Sequence, residues 1–462
     1  MLPPIFTHLA MIAGFLLAAL VIAHMFRQRH SPAATTAWLL AIVLLPYVGV
    51  PLYLLLGGRK MLRAADAKLE IQLPKSDASV SKTIPPIDAL LRNYGIPGAT
   101  GKNRLSLCPT GEDGFWRLVE LIEEATESIY ITTFILASDE VGRDIIGRLA
   151  RKAEEGVVVK VLLDGVGSLY TRKKALLPLT RAGGRVIYFI PVLHLPTRGR
   201  TNLRNHRKMV IADERRVVAG GTNIATEYIG PTPDPKRWHD LSFILDGPAV
   251  RHYTELFRSD WEFASGESIQ PKHTATSTLL TQDGDAVVQV VPSGPDVAGD
   301  PLYDAILSVI FAAKKRLWIV TPYFVPDESL SQAICVAAHR GVEVRILVPE
   351  KSNHRLADLA RGTYLRDIQE AGGKILLYTR GMVHAKVLLM DDELVMIGSA
   401  NLDMRSLFLN YETALFAYSA SSIRAVEKWI TDLAVSTRTG VKEVGAFRDL
   451  CQGVVRMMAP LL

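Results

Sequence analysis

Two stretches without a single Asp, Glu, Lys or Arg, Met1 to Phe26 and His30 to Gly58, open the chain. A bilayer span needs ~20 apolar residues, and "PIFTHLAMIAGFLLAALVIAHMF" and "TAWLLAIVLLPYVGVPLYLLLGG" both reach that length. The pattern predicts an anchor over residues 1–65, with membrane helices at about 4–26 and 35–58 joined by the tight "RQRHSPAAT". Pro46 and Pro51 predict a kink in the second helix, tolerable where a neighbour satisfies the freed carbonyls. A cleaved leader is the rival reading of the first stretch, but no basic segment precedes it and a second apolar stretch follows at once. Arg59, Lys60, Arg63 and Lys68 beyond the second stretch outnumber Arg27 and Arg29 between the two, which predicts an N-terminus and main body on the cytoplasmic side.

From 66 to 102 the chain turns polar and proline-dotted, as in "LPKSDASVSKTIPP", and reads as a linker. Beyond it the pattern changes to amphipathic helices alternating with short Val/Ile/Leu runs, and it occurs twice. "LIEEATESIYITTFIL" answers "AILSVIFAAKKRLWIVTPYFV", "LARKAEEGVVVKVLLDG" answers "VAAHRGVEVRILVPE", and "RAGGRVIYFI" answers "EAGGKILLYT". Helix and strand in alternation predict α/β/α sandwiches around buried sheets, so the expected fold is α/β. Two duplicated lobes, 103–272 and 285–462, are expected to be related by a pseudo-twofold. Continuous apolar runs such as "VVVKVLL" argue for strands covered on both faces. The first lobe's "PVLHLPTRGRTNLRN" is longer than the second's "RGMV", and is either a substrate-contacting loop or a plain surface insertion.

Each lobe then carries the same octet, "HRKMVIAD" and "HAKVLLMD", followed at fixed distance by "GGTN" and "GSAN". The shared pattern is His-x-Lys-x4-Asp-x6-Gly-(Gly/Ser)-x-Asn. On a strand, residues two apart share a face, so His206 stands beside Lys208 and His384 beside Lys386. One such octet is an ordinary solvated edge strand; two at matched places in a duplicated chain call for a common purpose. If a pseudo-twofold brings both faces to one cleft, one neutral imidazole can attack a phosphodiester while the other, protonated, donates to the departing oxygen. Lys208 and Lys386 then clamp the non-bridging oxygens, and Gly221, Asn223, Ser399 and Asn401 read as the groups that meet the transition-state charge. Asp213 and Asp391 fall on the opposite face by strand parity, so that they order the following turn unless the chain turns first. Asp240 in "RWHDLSFIL" and Glu412 in "NYETALFAY" occupy one register and are the candidates for orienting the histidines.

Composition narrows the choice only slightly. Hydrophobic residues make up 48% of the 462, and the net charge of +6 suits an anionic partner without selecting one. Three spaced cysteines, Cys108, Cys335 and Cys451, indicate neither a zinc site nor a disulfide framework. A metal site is disfavoured because a lysine neighbours each histidine, and neither a phosphate-binding loop nor a dinucleotide fingerprint occurs. No cofactor is expected. The last residues, "DLCQGVVRMMAPLL", either pack onto the second lobe or lie on a membrane surface.

"HRKMVIADERRVVAGGTN" and "HAKVLLMDDELVMIGSAN" resemble the paired His-Lys-Asp motifs of the phospholipase D superfamily. With "AWLLAIVLLPYVGVPLYLLLGGRK", "VTPYFVPDESL" and "GSANLDMRS", nearly the whole chain is similar to the bacterial cardiolipin synthases. The resemblance implies metal-independent transfer of a phosphatidyl group between two phosphatidylglycerols, through a phosphohistidine and with release of glycerol. It carries over His206, Lys208, Asp213, His384, Lys386 and Asp391 as catalytic residues, with His206 as nucleophile and His384 as acid and base. It also implies a multi-pass protein of the bacterial inner membrane whose partner is a phospholipid and not a nucleic acid. A hydrolytic phospholipase D would use the same residues, as would a superfamily nuclease, for which the anchor serves no purpose. Oligomeric state is not legible.

Overall fold

The computed structural model describes residues 4–27, 32–53, 68, 70–74, 86–190, 203–270 and 284–456. The long loop at 191–202, the middle of the linker, the end of the second apolar stretch and residues 457–462 lie outside these, while residues 449–456 are helical and pack onto the second lobe, where Gln452 is buried and accepts from Arg366 at 2.8 Å. The chain forms two compact units.

The first unit contains α1 (Pro4–Arg27), α2 (Pro32–Leu44) and α3 (Pro46–Leu52). The second apolar stretch is not one kinked helix. Leu45 leaves helical geometry with φ −135° and ψ 62°, and Pro46 restarts the chain as the first residue of α3, a position where its missing N–H costs nothing. Among the described residues no helix is long and apolar enough to cross a membrane. Ala18, Val21, Met25, Ile42, Val50 and Tyr53 form the buried seam of the unit, while Phe15, Leu20, Leu44 and Tyr47 are exposed.

The second unit begins with α4 (Pro86–Asn93), inside the stretch that reads as linker. Its Ile87 and Leu91, with Ile96, are buried in the core of the second lobe. Apolar positions four apart on so short a helix are easily lost in a polar, proline-rich surround.

The first lobe follows as β1 (Thr100–Cys108), α5 (Gly111–Glu124), β2 (Ser128–Thr133), α6 (Glu140–Glu154), β3 (Val158–Asp164), α7 (Lys173–Arg181), β4 (Arg185–Phe189), β5 (Met209–Ala212), β6 (Arg216–Gly220), β7 (Ser242–Asp246) and α8 (Val250–Ser265). The second lobe opens with β8 (Ala286–Ser293), α9 (Pro301–Ala312), β9 (Arg316–Val320), β10 (Phe324–Val325), α10 (Glu328–His339), β11 (Glu343–Pro349), α11 (Arg355–Glu370) and β12 (Lys374–Tyr378). It closes with β13 (Val387–Met390), β14 (Leu394–Gly398), β15 (Leu402–Asp403), α12 (Met404–Phe408), β16 (Glu412–Ala417), α13 (Ala420–Ala434), β17 (Thr437–Thr439) and α14 (Ala446–Arg456).

One continuous sheet runs through both lobes in the order β17-β12-β11-β9-β13-β14-β16-β8-β1-β7-β6-β5-β2-β3-β4. Read outward from the β1–β8 junction, the first lobe gives 1-7-6-5-2-3-4 and the second 8-16-14-13-9-11-12, the same order strand for strand. The junction is antiparallel, with Thr100 opposite Val288, so a pseudo-twofold passes between β1 and β8. Helix starts repeat as well: Asp139 caps α6 through the Gly142 N–H at 2.8 Å, and Asp327 caps α10 through the Leu330 N–H at 3.2 Å. Along α6 the residues Val141, Ile145, Ile146 and Leu149 are buried, which is the helical spacing of a single inward face.

Candidate active site

The histidine and lysine of each octet precede their strand. β5 begins at Met209 and β13 at Val387, and the extended residues before them are held by the opposite lobe. The His206 N–H donates to Tyr411 O at 2.9 Å and the Tyr411 N–H to Arg204 O at 2.9 Å. In the other direction the His384 N–H donates to His239 O at 2.7 Å and the His239 N–H to Met382 O at 2.8 Å. Two short parallel bridges, Asn205 with Tyr411 and His239 with Val383, stitch the lobes together at the histidines.

Those bridges place the acids. Residue 412 follows 411 and residue 240 follows 239, so each carboxylate arrives at the histidine of the other lobe. His206 Nδ1 lies 2.9 and 3.0 Å from the two oxygens of Glu412, and His384 Nδ1 lies 2.6 Å from Asp240 Oδ2. Both acids and both rings are buried. A carboxylate at Nδ1 holds the proton there and leaves the Nε2 lone pair facing outward.

The lysines differ. Lys208 Nζ donates to the His206 carbonyl at 2.7 Å. Lys386 Nζ bonds the His384 carbonyl and also sits over the ring, 2.8 Å from Nδ1 and 3.1 Å from Nε2. Because the Nδ1 proton is committed to Asp240, the ring atom able to accept from Lys386 is Nε2.

Burial and then the Lys386 charge push His384 down to about 3. His206 is also lowered, by burial first, against the opposing pull of Glu412. Desolvation lowers Lys208 to about 7 and Lys386 to about 8. Asp240 and Glu412 stay below the usual carboxylate range although burial works against them, because a lysine and a histidine face each. Lys386 also acts on His206, and Lys208 on His384, so the two sets share one electrostatic environment.

Asp213 and Asp391 follow the strand-parity reading rather than the catalytic role that the resemblance carries over. Asp213 and Asp391 are not among the groups facing the histidines. Each starts the hairpin turn in a left-handed conformation, φ 52° and 49°, which a short polar side chain tolerates. Asp213 accepts from the N–H groups of Thr126, Glu127 and Ser128 at 2.9, 2.7 and 2.8 Å. Asp391 does the same for Lys314, Lys315 and Arg316 at 2.9, 2.8 and 2.8 Å. They fix the entry of β2 and β9 beside the octet strands.

Ser399 also has a different occupation, since its hydroxyl donates to Glu412 Oε2 at 2.5 Å and accepts from the Thr413 N–H at 3.0 Å. Gly221, its counterpart, leaves room for the other acid: a Cβ there would come within 2.2 Å of Asp240 Oδ1. Asn223 Oδ1 accepts from the Ile135 N–H at 3.2 Å. Asn401 Oδ1 is buried and has no hydrogen-bond partner among the described residues. Among the described residues no three His, Cys, Asp or Glu side chains are grouped so as to hold a metal.

Sequence reasoning missed Arg207, the second residue of the first octet. It faces away from His206 and is fully buried between Asp260, at 2.6 Å, and Asp296 of the second lobe, at 3.2 Å. A charged residue between two site residues, where the second octet has Ala385, was the available signal. The aromatic walls were also missed: the Phe134 ring lies 4.9 Å from that of His206, and Tyr228 and Trp238 lie 5.1 and 5.6 Å from that of His384.

The family model described as cardiolipin synthase, phospholipase D-like domain, matches residues 118–261 and 306–434. One described as phospholipase D-nuclease N-terminal matches residues 16–58. The chain is 33% identical to the major cardiolipin synthase of Bacillus subtilis, covering 98% of both chains. It is 31% identical to cardiolipin synthase 1 of Bacillus anthracis over 95% of this chain and 91% of that protein. Among solved structures, phosphatidylserine synthase of Haemophilus influenzae shares the fold, with a TM-score of 0.57 at 17% identity over 82% of this chain and 98% of that one.

Proposed function

The chain belongs to the phospholipase D-like cardiolipin synthase family, and from that membership we propose how its crossed site makes cardiolipin. One phosphatidylglycerol donates its phosphatidyl group to a second, and glycerol departs. The observation that supports this chemistry is the pair of imidazoles, each held at Nδ1 by a buried acid of the opposite lobe.

His206 attacks. Among the described residues its Nε2 has no hydrogen-bond partner, whereas that of His384 faces Lys386. The Nε2–phosphorus bond forms as the bond from phosphorus to the glycerol oxygen breaks, and the proton on His384 Nε2 passes to that oxygen. The incoming phosphodiester charge draws Lys386 and Lys208 onto its non-bridging oxygens, and His384 Nε2, which until then accepts from Lys386, takes up from solvent the proton that it gives to the leaving oxygen. In the second half the primary hydroxyl of the acceptor gives its proton to His384 and bonds to phosphorus while the nitrogen–phosphorus bond breaks. Both histidines return to their starting protonation. Asp240 and Glu412 orient the rings throughout, and no step requires a metal.

The uncharged N-terminal stretches, with Phe15, Leu20, Leu44 and Tyr47 exposed on the helical unit, support a membrane-anchored enzyme. We assign it to the bacterial cytoplasmic membrane, with the catalytic unit on the cytoplasmic side.

The test is protein in phosphatidylglycerol vesicles containing chelator and phosphate-labelled lipid. Cardiolipin and glycerol are expected, with phosphatidate as the product if water were the acceptor. His206→Ala and His384→Ala should each lose ~10³-fold or more in rate, and label should stay on the protein only in His384→Ala. Label retained by His206→Ala instead reverses the assignment, and near-normal turnover in either variant defeats the shared site.

A further inference from the structure

We propose that the loops following β3 and β11 form a paired rim that docks the cleft onto an anionic phospholipid surface. The inference rests on the lipid-transfer reading above and adds where the catalytic unit touches the bilayer. Strands β2, β3 and β4 run parallel, as do β9, β11 and β12, so each lobe presents one set of C-terminal strand ends, and the pseudo-twofold makes the two loops equivalent.

Both loops are tied to the catalytic groups. In the first lobe Ser168 Oγ donates to Phe134 O at 2.9 Å, and the Phe134 ring is the one against His206. In the second, the Glu350 N–H donates to Tyr378 O at 2.8 Å and the Tyr378 hydroxyl lies 2.8 Å from His239 Nε2. His239 O in turn accepts from the His384 N–H.

The outward side of these loops has an unusual composition. Leu169 and Tyr170 are 54% and 89% exposed, and Arg172, Lys173 and Lys174 follow, also exposed. No acid occurs from Gly165 to Arg181. The matching loop exposes Lys351, Arg355 and Leu356, and its acid, Glu350, is paired with Arg438 at 3.0 Å. Single exposed apolar residues are ordinary; apolar tips backed by cations that no described acid pairs, at equivalent positions beside one cleft, are not. Cations gather at an anionic headgroup layer within a Debye length, and tyrosine suits the interface just beneath it. Docked this way, a lipid phosphate reaches the histidines while its acyl chains stay in the bilayer.

The test uses full-length protein in vesicles of mixed phosphatidylglycerol and phosphatidylcholine. With Cys108 and Cys335 buried and Cys451 replaced by Ser, an environment-sensitive fluorophore is attached at Tyr170→Cys, Leu356→Cys or Phe311→Cys. Phe311 is an exposed control just ahead of β9, at the opposite strand ends. Quenching by spin-labelled lipid is expected at 170 and 356 and not at 311; probes at both rim sites that stay unquenched overturn the proposal, whether they remain in water or are covered by a protein partner. Replacing Arg172, Lys173 and Lys174 together by Gln should raise the half-saturating surface fraction of phosphatidylglycerol about tenfold at unchanged maximal rate. An unchanged half-saturation also counts against docking. The two readings fail separately: lipid-embedded probes without cardiolipin formation defeat the transfer reading alone, and cardiolipin formation with aqueous probes defeats the docking alone.

Discussion

The two histidine stations occupy equivalent places in one topology, yet they are built differently. At His206 the acid is the longer one, Glu412, steadied by the Ser399 hydroxyl, and among the described residues the lysine bonds only the backbone. At His384 the acid is the shorter Asp240, packed against Gly221, and the lysine lies over the ring. Each acid and its turn residue come from the same lobe and serve the opposite one. A duplicated sheet therefore delivers matched positions, while one methylene in the acid and one side chain in the turn let the two rings diverge. That divergence suits a reaction needing a nucleophile and a proton donor from the same residue type.

The largest separation between the stations should come from removing the acid charges. Glu412→Gln and Asp240→Asn keep the shape but can offer an amide N–H to Nδ1, which moves the ring proton to Nε2 and closes the lone pair. Losing tautomer control costs ~10⁴-fold in the comparable Ser-His-Asp case, and Glu412→Gln should approach that value. Asp240→Asn should lose less, because a donor with its proton on Nε2 still fits His384's task. Initial rates of cardiolipin formation measure both, and equal losses would refute the division of labour.

The next contrast concerns the residue between histidine and lysine. Arg207→Leu leaves Asp260 and Asp296 buried without their shared cation, and stranding buried charges costs ~3–5 kcal/mol. A thermal melt of the purified protein should show a large drop, partly recovered when both aspartates are also made Asn. A melt that does not move would mean the network contributes nothing to holding the lobes together.

Much of this plan is legible in the sequence because it is written twice. Long matched patterns survive where a single octet carries almost no information, and strand parity already separates Asp213 and Asp391 from the histidine face. Their left-handed turn, which the octet alone does not specify, sends them to the backbone of β2 and β9. Asp240 and Glu412 stand out by register, but which histidine each meets depends on bridges between residues about 140 to 210 positions apart, such as His239 with Val383 and Asn205 with Tyr411. Ser399 was assigned to the phosphate because a hydroxyl in a turn has no preferred partner until the fold supplies one. The interruption at Pro46 is announced by the proline itself, whereas the buried helix at 86–93 was missed for the opposite reason: local composition there points away from the packing that decides the outcome.

The smallest expected effect is the most discriminating, because it tests the turn residues themselves. Ser399→Ala removes a hydrogen bond to a charged acceptor and leaves the Thr413 N–H without its partner, a loss of about 1.5–3 kcal/mol. Burial opposes the charge on Glu412, which His206, Lys208 and Ser399 together hold below the usual range. Without Ser399 its pKa must rise toward that range. Protonating Glu412 releases the hold on His206, so the acid limb of the pH–rate profile should move to higher pH, with about a tenfold loss in rate on the acid side and a smaller one at alkaline pH. Gly221→Ala, at the matching turn, crowds Asp240 Oδ1 directly and should depress the rate at every pH. Parallel profiles for the two variants would show that serine and glycine do the same job, and the comparison between the stations would lose its basis.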